Sequence, residues 1–181
     1  MKTSKFNILV HSSKLSPNTL IQNMKKLHFP VTSKISKQKF SRINKKSIVV
    51  SMIDYPENER GFQEQLYLNY VSRKKNAIFV SLRLNRFGVS VGPVVSENSA
   101  CLNCIREEIE RFNSITADSS ISRKISFEIG QAILISLIGQ ILQQKQHIIE
   151  NKVAHVYGDL PKIYYDFVFR KPFCEVCTPD V

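Results

Sequence analysis

Apolar residues fall along this chain in two patterns. Short continuous runs occur at residues 6–10 (FNILV), 47–53 (SIVVSMI), 77–84 (AIFVSLRL) and 87–91 (FGVSV). Such runs mark strands covered on both faces. Residues 29–35 form a further short strand candidate. Between the runs, apolar side chains recur at helical spacing. Leu20, Ile21, Met24 and Leu27 follow a Ser16-Pro17 start signal, in which serine caps a helix and proline fits its first turn. Phe62, Leu66 and Val71 form the inward face of a helix expected from about Glu57 or Glu59 to Lys75. His28-Phe29-Pro30 closes the first helix, and Asp54-Tyr55-Pro56 turns the chain after the 47–53 run. Asn85-Arg86 reads as a tight connection, and Gly92-Pro93 as the break that ends the strand at 87–91.

Beyond a loop to Cys101, residues 106–112 carry a helical pattern and 114–123 read as a polar surface loop. A long helix is expected over 126–146, apolar on most faces around 132–142. The apolar stretch 132–142 falls short of the roughly 20 residues a bilayer requires, so it reads as a buried helix. Two roles are open to the apolar helix Phe127 to Leu142: packing on the sheet, which is the simpler, and the face of a homodimer. Strands at 153–157 and 163–169 close the chain, joined by the hairpin signal Gly158-Asp159-Leu160-Pro161. Strands alternating with helices predict an α/β fold, a parallel sheet with a late antiparallel addition.

At 181 residues and 43% apolar, the chain suffices for one packed domain. Its net charge of +11 is distributed unevenly. Residues 1–53 hold 11 basic side chains and no acidic one, while 54–181 carry 15 of each sign. A one-sided field attracts a polyanion, whether nucleic acid, a membrane surface or an acidic peptide. A solvated lysine face with no dedicated partner is the alternative. The opening MKTSKFNILVHSS has neither the apolar core nor the cleavage site of a signal peptide, so a cytoplasmic chain is expected.

All four cysteines fall into two matching pairs, Cys101-x-x-Cys104 and Cys174-x-x-Cys177. In a reducing compartment paired cysteines point to metal. Four thiolates fill a tetrahedral shell, leave no position for water and suit structural zinc. A redox pair, an iron–sulfur cluster and unrelated buried cysteines are the competing readings. The distance in sequence from Cys104 to Cys174 makes such a metal a staple between the middle of the chain and its C-terminal part.

The signatures of phosphate loops, zinc peptidases, serine hydrolases and deaminases are absent. The turn after the first strand, His11-Ser12-Ser13-Lys14-Leu15-Ser16, has no glycine to let backbone approach a pyrophosphate. Asp54, at a strand end, has two readings, catalytic carboxylate or turn residue. His11, His28, His147 and His155 are scattered without metal spacing and read as surface or satisfied core residues.

The stretch Phe87-Gly88-Val89-Ser90-Val91-Gly92-Pro93-Val94-Val95, followed by Cys101-Leu102-Asn103-Cys104-Ile105-Arg106, resembles the corresponding segment of E1/ThiF-like proteins. More narrowly, it resembles the ocin-ThiF-like proteins of thiazole/oxazole-modified peptide (bacteriocin) and thiopeptide biosynthesis. Arg170-Lys171-Pro172-Phe173-Cys174-Glu175-Val176-Cys177 resembles their second zinc knuckle, and the resemblance covers most of residues 47–177. It implies a single α/β domain over 1–181, a degenerate, truncated Rossmann-like E1/ThiF fold with a four-cysteine zinc site. Residues 1–46 would be its basic, degenerate N-terminal βαβ part. Residues 47–181 would be its central αβ unit with the zinc-stapled C-terminal part.

Active members of that superfamily adenylate a carboxyl terminus through a glycine-rich loop and an arginine. This chain departs from them over residues 6–50, so no ATP is expected on it. The resemblance implies a non-catalytic scaffold that binds a precursor leader peptide and presents it to a YcaO-type cyclodehydratase for azoline formation. Relatives often add a winged-helix leader-binding domain, for which too few residues precede Ser47. Leader peptides are often acidic, which makes Lys25, Lys26, Lys34, Lys37, Lys39, Arg42, Lys45 and Lys46 the candidate peptide-binding residues. The alternatives are a zinc-containing nucleic-acid-binding protein and an E1-like adenylating enzyme.

Overall fold

The apolar runs do become strands. Along the chain come β1 (Asn7–Ser13), α1 (Asn18–Lys26), β2 (Val31–Lys34), a 3-10 helix (Lys37–Arg42), β3 (Ser47–Asp54) and α2 (Glu59–Lys74). They are followed by β4 (Ile78–Leu84), β5 (Gly88–Val95), α3 (Ser120–Leu142), β6 (Lys152–Tyr157) and β7 (Ile163–Phe167). The computed structural model describes residues 6–34, 37–55, 59–85, 88–97, 99–107, 120–143, 151–157 and 162–177. The strands form one sheet in the order β2-β1-β3-β4-β5-β6-β7. The first four are mutually parallel, with α1 and α2 as crossovers, and from β4 onward each neighbour is antiparallel. The expected parallel sheet with a late antiparallel addition is therefore the observed one, a Rossmann-like α/β arrangement.

Side chains alternate between the two faces of the sheet. Ile8, Val10, Ile48, Val50, Met52, Val80 and Leu82 pack with Leu20 and Met24 of α1 and Leu134, Leu137, Ile138 and Ile141 of α3. Leu9, Val49, Ile53 and Phe79 face the other way, against Phe62 and Leu68 of α2 and the four cysteines. Covered on both faces, β3 is buried from Ser47 to Ile53 and β5 throughout. The α3 face that meets the sheet repeats at helical spacing: Ser126, Gly130, Leu134, Leu137, Ile138 and Ile141 are all buried. A Cβ on Gly130 would stand 2.5 Å from a Val89 methyl, so glycine permits the close approach of helix to sheet.

Several expectations need correction. The strand at 87–91 does not stop at Gly92-Pro93; β5 runs on to Val95. The Gly92-Pro93 peptide is cis and Gly92 has φ of 99°, a conformation glycine tolerates. Pairing with β4 slips between Val80 and Leu82 at this point. The Gly92 carbonyl accepts from the Ser81 hydroxyl at 2.7 Å and from the Arg83 guanidinium at 2.9 Å. Side chains thus supply donors where a bulge and a proline interrupt the ladder.

The long helix starts at Ser120, inside the segment expected as a polar loop, and ends at Leu142. Its apolar part is also longer than expected. Arg123–Leu142 spans 20 residues at mean hydropathy 1.7, long and apolar enough to cross a bilayer by those measures alone. One face of it is nevertheless committed to the sheet. On α2, Leu66 and Val71 are only partly buried, while Gln65, Asn69 and Ser72 are fully covered. The hairpin residues 158–161 and most of the helix expected at 106–112 lie outside the described residues.

Candidate metal centre

The two CxxC pairs meet at one edge of the α2 face. Each forms the same turn: the Cys104 N–H donates to the Cys101 carbonyl at 3.1 Å, and the Cys177 N–H to the Cys174 carbonyl at 2.9 Å. The four sulfurs lie within 4.8 Å of one another and all four residues are buried. Sγ–Sγ distances are 3.7 Å for Cys101–Cys104, 3.5 Å for Cys101–Cys174 and 3.4 Å for Cys104–Cys177. These are far too long for disulfides. A tetrahedral zinc with bonds of about 2.3 Å sets sulfurs about 3.8 Å apart, so the donor set and its spacing fit that ion.

The surroundings hold the cage in shape. The Lys171 N–H points at Cys104 Sγ (3.4 Å) and the Asn103 amide at Cys174 Sγ (3.7 Å). Hydrogen bonds from Cys101 and Cys177 push the Cys104 thiol down, while hydrogen bonds to Cys104 and Cys177 together with burial push Cys101 up, so the coupled cluster shares its protons and metal binding would release them. From α2, Arg73 donates to the carbonyls of Ser99 (2.9 Å), Ser96 (3.3 Å) and Glu97 (2.6 Å), which fixes the approach to Cys101. The Asn151 side chain accepts from the Ala100 N–H at 3.1 Å, and Arg170 donates to the Cys177 carbonyl. The first knuckle follows β5 and the second follows β7, so four ligands join elements 73 residues apart in sequence.

The basic residues are differently arranged. Lys25 and Lys26 end α1, and Lys45 and Lys46 precede β3, all exposed. They sit where the parallel strands begin. Lys34 ends β2, while Lys37, Lys39 and Arg42 lie on the 3-10 helix that leads back to β3. The set is therefore spread over the β2-β1-β3 side of the sheet, at both ends of the strands, and converges on no single pocket. A cavity of about 430 Å³ opens nearby, lined by Phe40, Arg60, Gln63, Glu64 and Tyr67.

Histidines and Asp54 take structural partners. His11 is buried, 3.1 Å from Ser51 Oγ and 3.4 Å from Glu64. His28 is exposed in the left-handed region after α1, and His147 lies outside the described residues. Asp54 ends β3 and pairs with Arg123 of α3.

His155 belongs to a polar cluster that the sequence reading missed. Its Nδ1 is 2.9 Å from Ser90 Oγ and its Nε2 is 3.1 Å from Asp166. The Asn85 amide donates to Ser90 Oγ at 2.8 Å. Arg83, fully buried, donates to Ser81 Oγ at 2.7 Å, and burial lowers its guanidinium to about 9. The signal available was polar residues at every second position, Ser81, Arg83 and Asn85, inside an otherwise apolar strand.

No family model and no curated protein matches this chain. Solved structures do. A crystal structure of E. coli MccB with MccA matches at TM-score 0.62 and 16% identity, over 95% of this chain and 59% of that one. The heterocyclase TruD matches at TM-score 0.69 and 11% identity, over 97% of this chain and 28% of that one. A heterocyclase in complex with substrate and cofactor matches at TM-score 0.69 and 9% identity, over 97% and 26%. At such identities the likeness is one of fold. The chain spans about three-fifths of MccB and about a quarter of the heterocyclases.

Proposed function

We propose that this chain is a non-catalytic, ThiF-like accessory subunit of an ATP-dependent, YcaO-type cyclodehydratase. It binds the acidic leader of a ribosomal precursor peptide and presents that peptide for azoline formation. The observation that carries this reading is the match to TruD. Nearly the whole chain corresponds to about a quarter of a heterocyclase, which supports reading it as one module of such a system. The β1–α1 connection supports it further. Its residues Ser13-Lys14-Leu15-Ser16-Pro17 carry no glycine, so the backbone cradle of a nucleotide-binding turn has no counterpart here.

In this reading Cys101, Cys104, Cys174 and Cys177 hold a zinc whose chemistry is structural, since four thiolates leave no open position. Lys25, Lys26, Lys34, Lys37, Lys39, Arg42, Lys45 and Lys46 attract the leader to the β2-β1-β3 side of the sheet. Co-expression with the genes beside its own, pull-down and metal analysis of the purified complex test the proposal. Recovery of a YcaO-type enzyme with one zinc per chain supports it. A chain that brings down nucleic acid instead, released at high salt, refutes it and favours the zinc-containing nucleic-acid-binding reading, which the same basic residues support.

A further inference from the structure

The two edges of the sheet are finished differently. The β2 edge is four residues long and ends in lysine, two of the devices that keep an open edge from pairing. The β7 edge is one residue longer, and apart from Asp166 and the neighbouring Lys162 it presents apolar and aromatic side chains. Its residues Ile163, Tyr164, Tyr165 and Phe167 are exposed on both faces, and Phe169 and Phe173 beyond it are 78% and 95% exposed. At about 200 Å² per aromatic side chain, β7 and the segment after it leave on the order of 700 Å² of apolar surface, roughly half of it on β7 itself, against the roughly 800 Å² of total surface each partner buries in a stable complex.

Register fixes which backbone groups point outward. The Val168 N–H donates to the Asn151 carbonyl, so this opposed pair is hydrogen-bonded. Alternation along an antiparallel ladder then turns Tyr164 and Asp166 toward β6, and leaves the N–H and C=O groups of Ile163, Tyr165 and Phe167 on the open side. We propose that this edge pairs antiparallel with β7 of a second copy of this chain, on a two-fold axis at Tyr164. In that register Ile163 and Tyr165 exchange backbone bonds across the axis. Lys162 then stands opposite Asp166 of the second copy, twice over. Tyr164 stands opposite its own mate, and Ile163 opposite Tyr165. These are opposite-charge, aromatic and aromatic–β-branched pairs, the favoured cross-strand combinations. Asp166 already accepts from His155 through Oδ2, which leaves its other oxygen for the lysine. The dimer face is thus β7, not the outer side of α3, and the inference is independent of the scaffold reading.

Sedimentation velocity over a broad concentration range tests it, with far-UV circular dichroism on every variant. The wild-type chain should run at twice 20.8 kDa. Lys162→Asp and Asp166→Lys should each run as monomers, and mixing the two should restore a dimer, because every opposed pair is then again Asp with Lys. Tyr165→Pro removes an outward N–H without touching the β6 ladder and should also be monomeric. A wild-type chain that stays monomeric at all concentrations overturns the proposal and leaves the edge to an extended peptide. A Tyr165→Pro dimer, or folded charge variants that fail to associate when mixed, overturns it equally.

Discussion

The two halves of the sheet are held together by different means. The parallel half, β2-β1-β3-β4, is built from consecutive segments: α1 joins β1 to β2, the 3-10 connection carries the chain from β2 past β1 to β3, and α2 joins β3 to β4, with aliphatic packing on both faces. The antiparallel half, β5-β6-β7, is assembled from distant segments. It carries the Ser90–His155–Asp166 chain, buried at Ser90 and His155 and exposed at Asp166, and ends on the cysteine cage and an exposed aromatic strand. Burial dominates the first half, with the His11–Ser51 and Gln65–Ser51 hydrogen bonds set into it. The second adds a buried four-cysteine cluster whose spacing fits a metal ion and a polar network, and it ends on an exposed edge. The excess positive charge lies wholly on the first half, in a region with little bearing on cohesion.

Removing the metal should separate the halves most sharply. Structural zinc contributes on the order of 10 kcal/mol of binding free energy near neutral pH, comparable with the stability of a whole domain. Cys174→Ser, or a strong chelator, is expected to abolish the metal content and lower the melting temperature steeply. Hydrogen exchange should then show β6 and β7 losing protection before β1 and β3. Uniform loss across the sheet would mean the halves are one cooperative unit.

Packing comes next. Leu137→Ala, on the sheet-facing side of α3, should cost about 2–5 kcal/mol in urea denaturation. Gly130→Ala forces a methyl against Val89 and should cost about 1–3 kcal/mol. Both act where α3 bridges the halves, so neither should alter metal content.

A pH titration probes the polar network. Burial pushes His155 down from 6.5 to about 4, against the opposing pull of Asp166. The unfolded chain therefore takes up that proton first as pH falls. Stability is fully present above about pH 6.5 and declines toward pH 4. The loss from His155 should be on the order of 1 kcal/mol between pH 7 and 5, and His155→Gln should flatten the profile. An unchanged profile in that variant would assign the acid sensitivity to other groups.

The smallest effect on stability is expected at the basic residues. Reversing Lys25, Lys26, Lys45 and Lys46 to Glu, all exposed, should shift stability by no more than about 0.5 kcal/mol per site. The same changes should weaken binding of an acidic leader peptide, and the wild-type affinity should fall as salt rises. Affinity independent of ionic strength would remove the electrostatic role of these residues.

How much of this was legible in the sequence depends on whether the determinant is local. The apolar runs at 6–10, 47–53 and 77–84 announced β1, β3 and β4, because a strand covered on both faces is apolar at most positions rather than at every second one. Matching CxxC spacings announced a four-sulfur cage, because the turn that aims two thiols at one point is built within four residues. Where the charge excess lay could be counted directly. The continuation of β5 through Gly92-Pro93 could not be read, since it depends on Ser81 and Arg83 of the neighbouring strand offering donors to the Gly92 carbonyl. Nor could the Ser90–His155 contact, which joins residues 65 positions apart. The early start of α3 at Ser120 was hidden by a polar first turn.

By itself, then, the sequence determined which segments become buried strands, which cysteines act as a set and which end of the chain is cationic. Each follows from side-chain type and spacing within a few residues. Only the tertiary structure decided that the two knuckles meet, that the cations spread over one side of the sheet, and that β7 is left open with its aromatic side chains in solvent. Those outcomes depend on the order of strands in the sheet, and that order is set by long-range pairing and by which face α3 can cover.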